Sequence, residues 1–166
     1  ANNGRVREIA VRFSGFDEVR FKNIACFNHY NTGAGTTRFV YFWNCAEVAV
    51  DGGEFSNIRA LGDGVIGNAK GAVRAIYGSG DKNLGALRVF NRVVFRSINT
   101  VNSEGDSVFE DADAVVVQNS GGYKHDVWVD GCKFSDVGKR ALKSQTSAKS
   151  FTSFLNNSVE SGWGIG

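Results

Sequence analysis

The 166-residue chain has no methionine, only three cysteines and only two histidines. It also has no apolar run near the ~20 residues that a transmembrane helix needs. Its first residues, ANNGRVREIAV, lack the basic start and apolar centre of a signal peptide. We therefore expect no membrane insertion. The absence of methionine predicts a processed chain or a fragment of a longer protein.

The cysteines and histidines give no recognisable metal or disulfide pattern. Cys26, Cys45 and Cys132 are odd in number and far apart, without CxxC spacing, which predicts neither a disulfide framework nor a zinc site. We expect Cys26 and Cys132 to be small core residues. His29 and His125 are too far apart in the sequence to define a metal site.

Composition predicts one folded domain over residues 1–166, and the lack of helical periodicity predicts that it is all-β. Hydrophobic residues make up 42% and charged residues 22% of the chain, as in a globular protein. The 19 basic and 17 acidic residues nearly balance, which argues against a nucleic-acid partner. The 21 glycines interrupt every helical period, so no helix is expected.

A twelve-residue pattern recurs along the chain. It is clearest as DVWVDGCKFSDV at 126–137 and EVAVDGGEFSNI at 47–58. More distant copies are EVRFKNIACFNH at 18–29, RVVFRSINTVNS at 92–103 and SFTSFLNNSVES at 150–161. Each copy alternates apolar and polar residues and then bends, which predicts two short strands that meet at a corner.

Alternation assigns the two faces of each copy. Val127 and Val129 should point inward, and Asp126, Trp128 and Asp130 should point outward. By the same parity, the inward pairs of the other copies are Val48 and Val50, Val93 and Phe95, and Val19 and Phe21. At the corners, asparagine or glycine should adopt the left-handed conformation, as in Asp51-Gly52, Lys22-Asn23, Asp130-Gly131, Asn156-Asn157 and, less well, Arg96-Ser97.

A third strand is expected between successive copies, at residues 38–43, 72–77, 113–118 and 140–145. Equivalent positions at Val19, Val48, Val93 and Val127 are 29, 45 and 34 residues apart. We interpret the longest gap as an additional coil, with strands near Val73 and Leu87, and we equate Val127 with Ser153. The prediction is a solenoid of about five to six three-strand coils, with like strands in parallel register.

The repeats EVAVDGGEFSNI and DVWVDGCKFSDV resemble those of the right-handed parallel β-helix proteins of the pectate-lyase-like group, most closely bacteriophage tailspikes and polysaccharide depolymerases. The resemblance implies a right-handed parallel β-helix that binds and degrades a polysaccharide. It also implies a homotrimer on a phage tail or in a secreted enzyme. The GHG and RIK motifs of polygalacturonases are absent, so their catalytic residues are not carried across.

The candidate catalytic residues lie on the third-strand face. Because third strands of successive coils stack, the acidic group before 113–118 should meet the basic group at 139–143. These residues are Glu110, Asp111, Asp113, Lys139, Arg140 and Lys143. Two carboxylates could hydrolyse a glycoside, or a basic group could abstract a proton next to a uronate carboxyl. The residues could instead form a solvated ladder of ion pairs.

A calcium ion is a further possibility in the same region. Glu104, Asp106, Glu110, Asp111 and Asp113 offer enough oxygen ligands, although their spacing is not that of an EF-hand. Otherwise no metal or cofactor is expected.

Trp128 is the candidate for substrate binding. An outward indole flanked by Asp126 and Asp130 could stack on a sugar ring while the carboxylates accept hydroxyl hydrogen bonds. The same aromatic surface could instead be a subunit contact. For the whole chain, the alternative to a depolymerase is a non-catalytic structural or adhesive β-helix that acts in assembly or host attachment.

Overall fold

The computed structural model describes residues 6–32, 35–62, 72–80, 86–106, 111–119, 124–147, 149–160 and 163–165. Over these ranges the chain is all-β, as predicted, and forms strands without a helix. Accordingly, no helix that is long and apolar enough to cross a bilayer occurs in the described part of the chain.

Fourteen strands lie in the described ranges. They are β1 (Val6–Ser14), β2 (Glu18–Asn31), β3 (Gly35–Trp43), β4 (Glu47–Leu61), β5 (Val73–Gly80), β6 (Ala86–Asn91), β7 (Val94–Val101), β8 (Ala112–Asn119), β9 (His125–Asp130), β10 (Lys133–Val137), β11 (Arg140–Gln145), β12 (Thr152–Leu155), β13 (Ser158–Val159) and β14 (Trp163–Ile165).

All strand pairs in these ranges are parallel. We call one passage of the chain through sheet A and then through both parts of sheet B a round. Each strand pairs with its counterpart in the next round. Sheet A has the order β1-β3-β5-β8-β11-β14. In sheet B, β2 pairs along β4, whose first part then pairs with β6 and whose second part pairs with β7. The pairs β6-β9-β12 and β7-β10-β13 continue these two parts separately. Three strand segments therefore recur in each round.

Residues with left-handed backbones mark the first bend of sheet B in five rounds and the second bend in four of them. At the first bend of sheet B they are Asn23, Gly52, Arg92, Gly131 and Asn156, with φ between 52° and 72°. At the second bend they are Asn28, Asn57, Ser97 and Asp136, with φ between 50° and 60°. The predicted corners are confirmed except that Ser97 belongs to the second bend, while Arg92 occupies the first.

The alignment of the copy at 92–103 was wrong in register. Val48 pairs with Arg88, and Arg88 pairs with Val127, so Val93 is not their equivalent. The segments near Val73 and Leu87 therefore belong to the same round as β7, and the described strands of this stretch contain no additional coil. Val93 and Phe95 do point inward, as predicted, but Phe95 pairs with Phe55 in the second part of β4. The residue equivalent to Val48 is Arg88, whose charge led alternation to assign it to the outside.

The inward parity of the predicted valines is confirmed. Val48, Val50, Val127 and Val129 are buried in one core cluster. A second equivalence, that of Val127 with Ser153, was also wrong, because Ser153 pairs with Trp128 and Thr152 pairs with Val127. The last copy has too few apolar residues to define its own register.

Four phenylalanines stack across the rounds of sheet B. The rings of Phe55 and Phe95 are 5.4 Å apart, those of Phe95 and Phe134 are 5.1 Å apart, and Phe154 follows at 5.7 Å from Phe134. Cys132 is buried beside them, as expected, and burial raises the pKa of its thiol to about 11. Cys26 is only half-buried and packs at the edge of the core.

We predict that Gly53→Ala destabilises the protein much more than Gly15→Ala. Both glycines have positive φ, but a Cβ at Gly53 would overlap the backbone of Ile24, while a Cβ at Gly15 meets nothing within 4 Å. The control should cost about 1 kcal/mol of unfolding free energy, and Gly53→Ala about 3 kcal/mol or more. Chemical denaturation of both variants tests this, and equal losses would contradict the close packing of β2 on β4.

Candidate functional site

The predicted acidic and basic groups meet on the outer face of sheet A. Arg74 of β5, Asp113 of β8 and Arg140 of β11 are neighbours in register. Lys139 precedes β11 and Asp111 precedes β8, so both lie at the same edge of these strands. The expectation that Asp113 lies within one or two rungs of Arg140 is confirmed, since the two residues are paired in adjacent strands.

Arg140 holds two carboxylates with one guanidinium. Its Nε donates to Asp113 Oδ1 at 2.6 Å, and its Nη2 donates to Asp113 Oδ2 at 3.1 Å and to Asp111 Oδ1 at 2.9 Å. Lys139 Nζ also donates to Asp111 Oδ1, at 2.5 Å. Such charge-assisted, forked contacts fix both carboxylates in position.

Two more cations approach Asp111 at longer range. Arg74 Nη2 is 3.8 Å and Lys143 Nζ is 4.0 Å from Asp111 Oδ2. We call Arg74, Asp111, Asp113, Lys139, Arg140 and Lys143 the ion-pair cluster. Its four cations outnumber its two carboxylates, so the cluster carries a net positive charge.

The pKa values of the two carboxyls shift in opposite directions. Burial raises the pKa of Asp111, but the hydrogen bond from Lys139 and the charges of Lys139, Lys143 and Arg140 outweigh it, so this pKa lies below its ordinary value. Burial dominates at Asp113 and raises its pKa, although the hydrogen bond from Arg140 limits the rise. Burial likewise lowers the pKa of Lys143.

Access to the cluster limits what it can do chemically. Because both carboxylates bind one nitrogen, they lie within about 6 Å, close to the separation in retaining glycosidases. However, the guanidinium of Arg140 binds both of them, and Asp113 is 0% exposed. Asp111 keeps 32% of its side chain exposed, and Lys139 keeps 40%. These two residues are the members best placed to touch a ligand.

Arginines and aromatic rings continue this face toward β1. The guanidinium carbon of Arg38 lies 3.9 Å from the ring centre of Tyr77 and 5.1 Å from that of Tyr41. Arg74 lies 5.7 Å from Tyr77, and Arg12 lies 5.4 Å from Tyr41. Cation–π contacts of this kind stabilise a guanidinium. The row therefore combines guanidinium groups and aromatic rings along sheet A.

Sequence reasoning missed this row for a local reason. The register pairs of sheet A skip Phe39, Ala75 and Ala114, so strict alternation is interrupted there. Arg38 and Tyr41 consequently share a face although they are three residues apart. The amino-acid sequence of these strands does not predict this interruption of the alternation.

Trp128 lies on the outer face of sheet B, as parity predicted. Its side chain is 42% exposed and its ring centre is 4.9 Å from that of Phe151. An open pocket of about 400 Å³ adjoins it, lined by Leu87, Val89, Asn91, Trp128, Asp130, Ser153 and Leu155. We call these residues the Trp128 face.

The two predicted neighbours of Trp128 differ in their contacts. Asp126 pairs with Lys124 at 2.8 Å and accepts the backbone N–H of Phe151 at 2.9 Å, so its carboxylate is largely engaged. Asp130 is exposed and accepts a 2.8 Å hydrogen bond from Asn156. The structure places Asp130, but not Asp126, among the residues that line the pocket.

Arg88 is a buried charge that the sequence did not reveal. It is 1% exposed, and its guanidinium donates to the carbonyls of Cys45, Ala46 and Leu87 at 2.7, 3.1 and 2.9 Å. Burial lowers its pKa to about 10. Burial and the charge of Arg88 together lower the pKa of nearby His125 to about 4.

The proposed calcium ligands do not assemble in the described residues, where no group of three or more histidine, cysteine or acidic residues could hold a metal ion. Asp111 and Asp113 accept hydrogen bonds from cations, and Asp106 Oδ2 accepts one from Asn102 Nδ2 at 3.4 Å. Glu110, also a candidate catalytic residue, lies outside the described ranges.

No protein-family model, no curated protein and no solved structure matches the chain. The functional assignment therefore rests on the contacts of these residues.

We predict that Arg140→Gln lowers the unfolding free energy by about 3 kcal/mol or more, because it leaves buried Asp113 without its cation. The double variant Arg140→Gln/Asp113→Asn should recover much of this loss, since the uncompensated charge is removed. Urea denaturation of the single and double variants measures the loss of unfolding free energy and its recovery. Additive losses would show that the two side chains are not coupled.

Proposed function

We propose that the chain forms a right-handed parallel β-helix whose outer surface binds a polysaccharide. Support for the helix comes from the parallel pairing of every round on the next, with three segments per round. Stacked phenylalanines and stacked left-handed bends agree with it. Right-handed crossovers are the rule when parallel strands follow one another in a sheet.

The observation that carries the binding proposal is the exposed indole beside an open, mainly apolar pocket that holds three polar side chains. Trp128 offers a flat apolar face, and Asn91, Asp130 and Ser153 line the same pocket. An aromatic face stacks on the apolar side of a sugar ring while nearby polar groups bind its hydroxyls. The pocket is open, so a chain could extend across the strands.

We further propose that the protein acts as a homotrimer on a phage tail or outside the cell, as the repeat resemblance implies. The apolar neighbours of Trp128, Phe151 and Leu155, are both more than half exposed. Such residues suit a subunit contact as well as a sugar. The mass of the protein in solution is therefore measured together with glycan binding.

Trp128→Ala should weaken polysaccharide binding at least about tenfold, because it removes the stacking surface. Phe27→Ala is the matched control, since Phe27 is a similarly exposed aromatic on β2 outside this pocket. Affinity measurements on a polysaccharide panel, with light scattering on the same samples, test this. A change of oligomeric mass in Trp128→Ala without a change in glycan affinity would assign the face to subunit contact instead.

Depolymerisation is the second candidate function, and the exposed part of the ion-pair cluster favours it. Asp111 is partly exposed, and the lowered pKa of Lys143 makes that amine easier to deprotonate. A carboxylate and an amine beside several arginines could act on a uronate. Asp113 and Arg140 would then position Asp111 and would not touch the substrate.

For this candidate we expect new reducing ends from at least one acidic polysaccharide. Absorbance from unsaturated uronates in addition would indicate a lyase, and its absence a hydrolase. Asp111→Asn should lower the rate at least about a hundredfold, whereas Glu54→Gln, which removes an exposed carboxylate from sheet B, should not. If no polysaccharide yields either reducing ends or unsaturated uronates, the result would favour the structural or adhesive alternative.

A further inference from the structure

A second pocket lies on a different surface from both faces described so far. It has a volume of about 470 Å³, within the range of small-molecule sites. It adjoins the second parts of β2 and β4 and the loop 102–106 that follows β7. Its polar lining includes Asn28, Tyr30, Asn57, Arg59, Ser103 and Glu104.

Arg59 is the unusual residue of this pocket. Its Nε is buried without a hydrogen-bond partner, as are the Nε atoms of Arg38, Arg74 and Arg88. Unlike those three residues, Arg59 forms no hydrogen bond, ion pair or ring contact with the residues that the structure describes. By contrast, Arg92 and Arg96 on the same sheet pair with Asp51 and Glu54 at 2.7 Å. A partly buried donor without an acceptor costs stability, so its retention needs an explanation.

Glu104 supplies an acceptor in the same pocket without neutralising Arg59. The two side chains line one cavity but form no ion pair. Their separation is maintained by the loop, in which Asn102 Oδ1 accepts the N–H groups of Glu104 at 3.0 Å and Asp106 at 2.9 Å. A ligand placed between them would meet a cation on one side and a carboxylate on the other.

Tyr30 and the asparagines complete the set of contacts. Tyr30 is 51% exposed and is the register neighbour of Arg59, so it offers a ring surface beside the guanidinium. Asn57 Nδ2 donates to Asn28 Oδ1 at 2.8 Å. This bond leaves the NH₂ group of Asn28 as a further donor at the pocket.

We propose that this pocket binds a hydroxylated ring compound that carries one oxyanion. Arg59 binds the oxyanion through charge-assisted hydrogen bonds, Tyr30 stacks on the ring, and Glu104 accepts hydrogen bonds from hydroxyl groups. A carboxylate, a phosphate and a sulfate share this chemistry. The site is independent of the Trp128 face and of any depolymerase activity.

Calorimetric titration of the full chain with four probes tests the proposal. Glucuronate and glucose 6-phosphate carry an oxyanion on a hydroxylated ring, glucose lacks the oxyanion, and inorganic phosphate lacks the ring. We expect at least one anionic sugar to bind at least about tenfold more tightly than either glucose or phosphate. The preferred anionic sugar identifies the oxyanion.

Variants separate the contributions of the pocket residues. Arg59→Gln should weaken binding of the preferred anionic sugar at least about tenfold, and the matched control Arg96→Gln should leave it unchanged. Tyr30→Ala, at an exposed position that should not disturb folding, should also weaken it. Binding that is absent in the unchanged protein, equal for glucose, or insensitive to both Arg59→Gln and Tyr30→Ala would overturn the proposal.

Discussion

The parallel register between successive rounds is the constraint on which the rest of the structure depends. Because each strand lies on its counterpart, a residue at one position meets the same position of the next round. The stacked phenylalanines and the left-handed bends are direct results. Gly53 shows how closely two paired strands approach, since its backbone packs against that of Ile24 and leaves no room for a side chain.

Arginine side chains meet four different environments in this register. Arg140 binds two carboxylates, Arg38 stacks on Tyr77, and Arg88 donates to backbone carbonyls inside the core. Arg59 alone among these four has no protein partner in the described residues. A buried or partly buried guanidinium needs hydrogen-bond acceptors or an aromatic ring nearby. The guanidinium of Arg59 therefore points to a bound ligand.

The sequence predicted the repeating features better than the individual exceptions. Val127, Val129 and the outward Trp128 follow from alternation, and the meeting of Asp113 with Arg140 follows from stacking alone. Arg88 broke the alignment because an inward charge looks like an outward one when only polarity is read. The Arg59 pocket was also missed, because it depends on a missing partner, and a missing partner has no signature in the sequence.

The contacts of Arg88 have a consequence for the order in which the protein can acquire its structure. The carbonyls of Cys45 and Ala46 receive their donors from a residue 43 and 42 positions later in the chain. During synthesis from the N-terminus, the turn between β3 and β4 cannot form these native hydrogen bonds before residue 88 has been added. Growth of the structure from its N-terminal end is thus held incomplete at this turn until the following round has been synthesised.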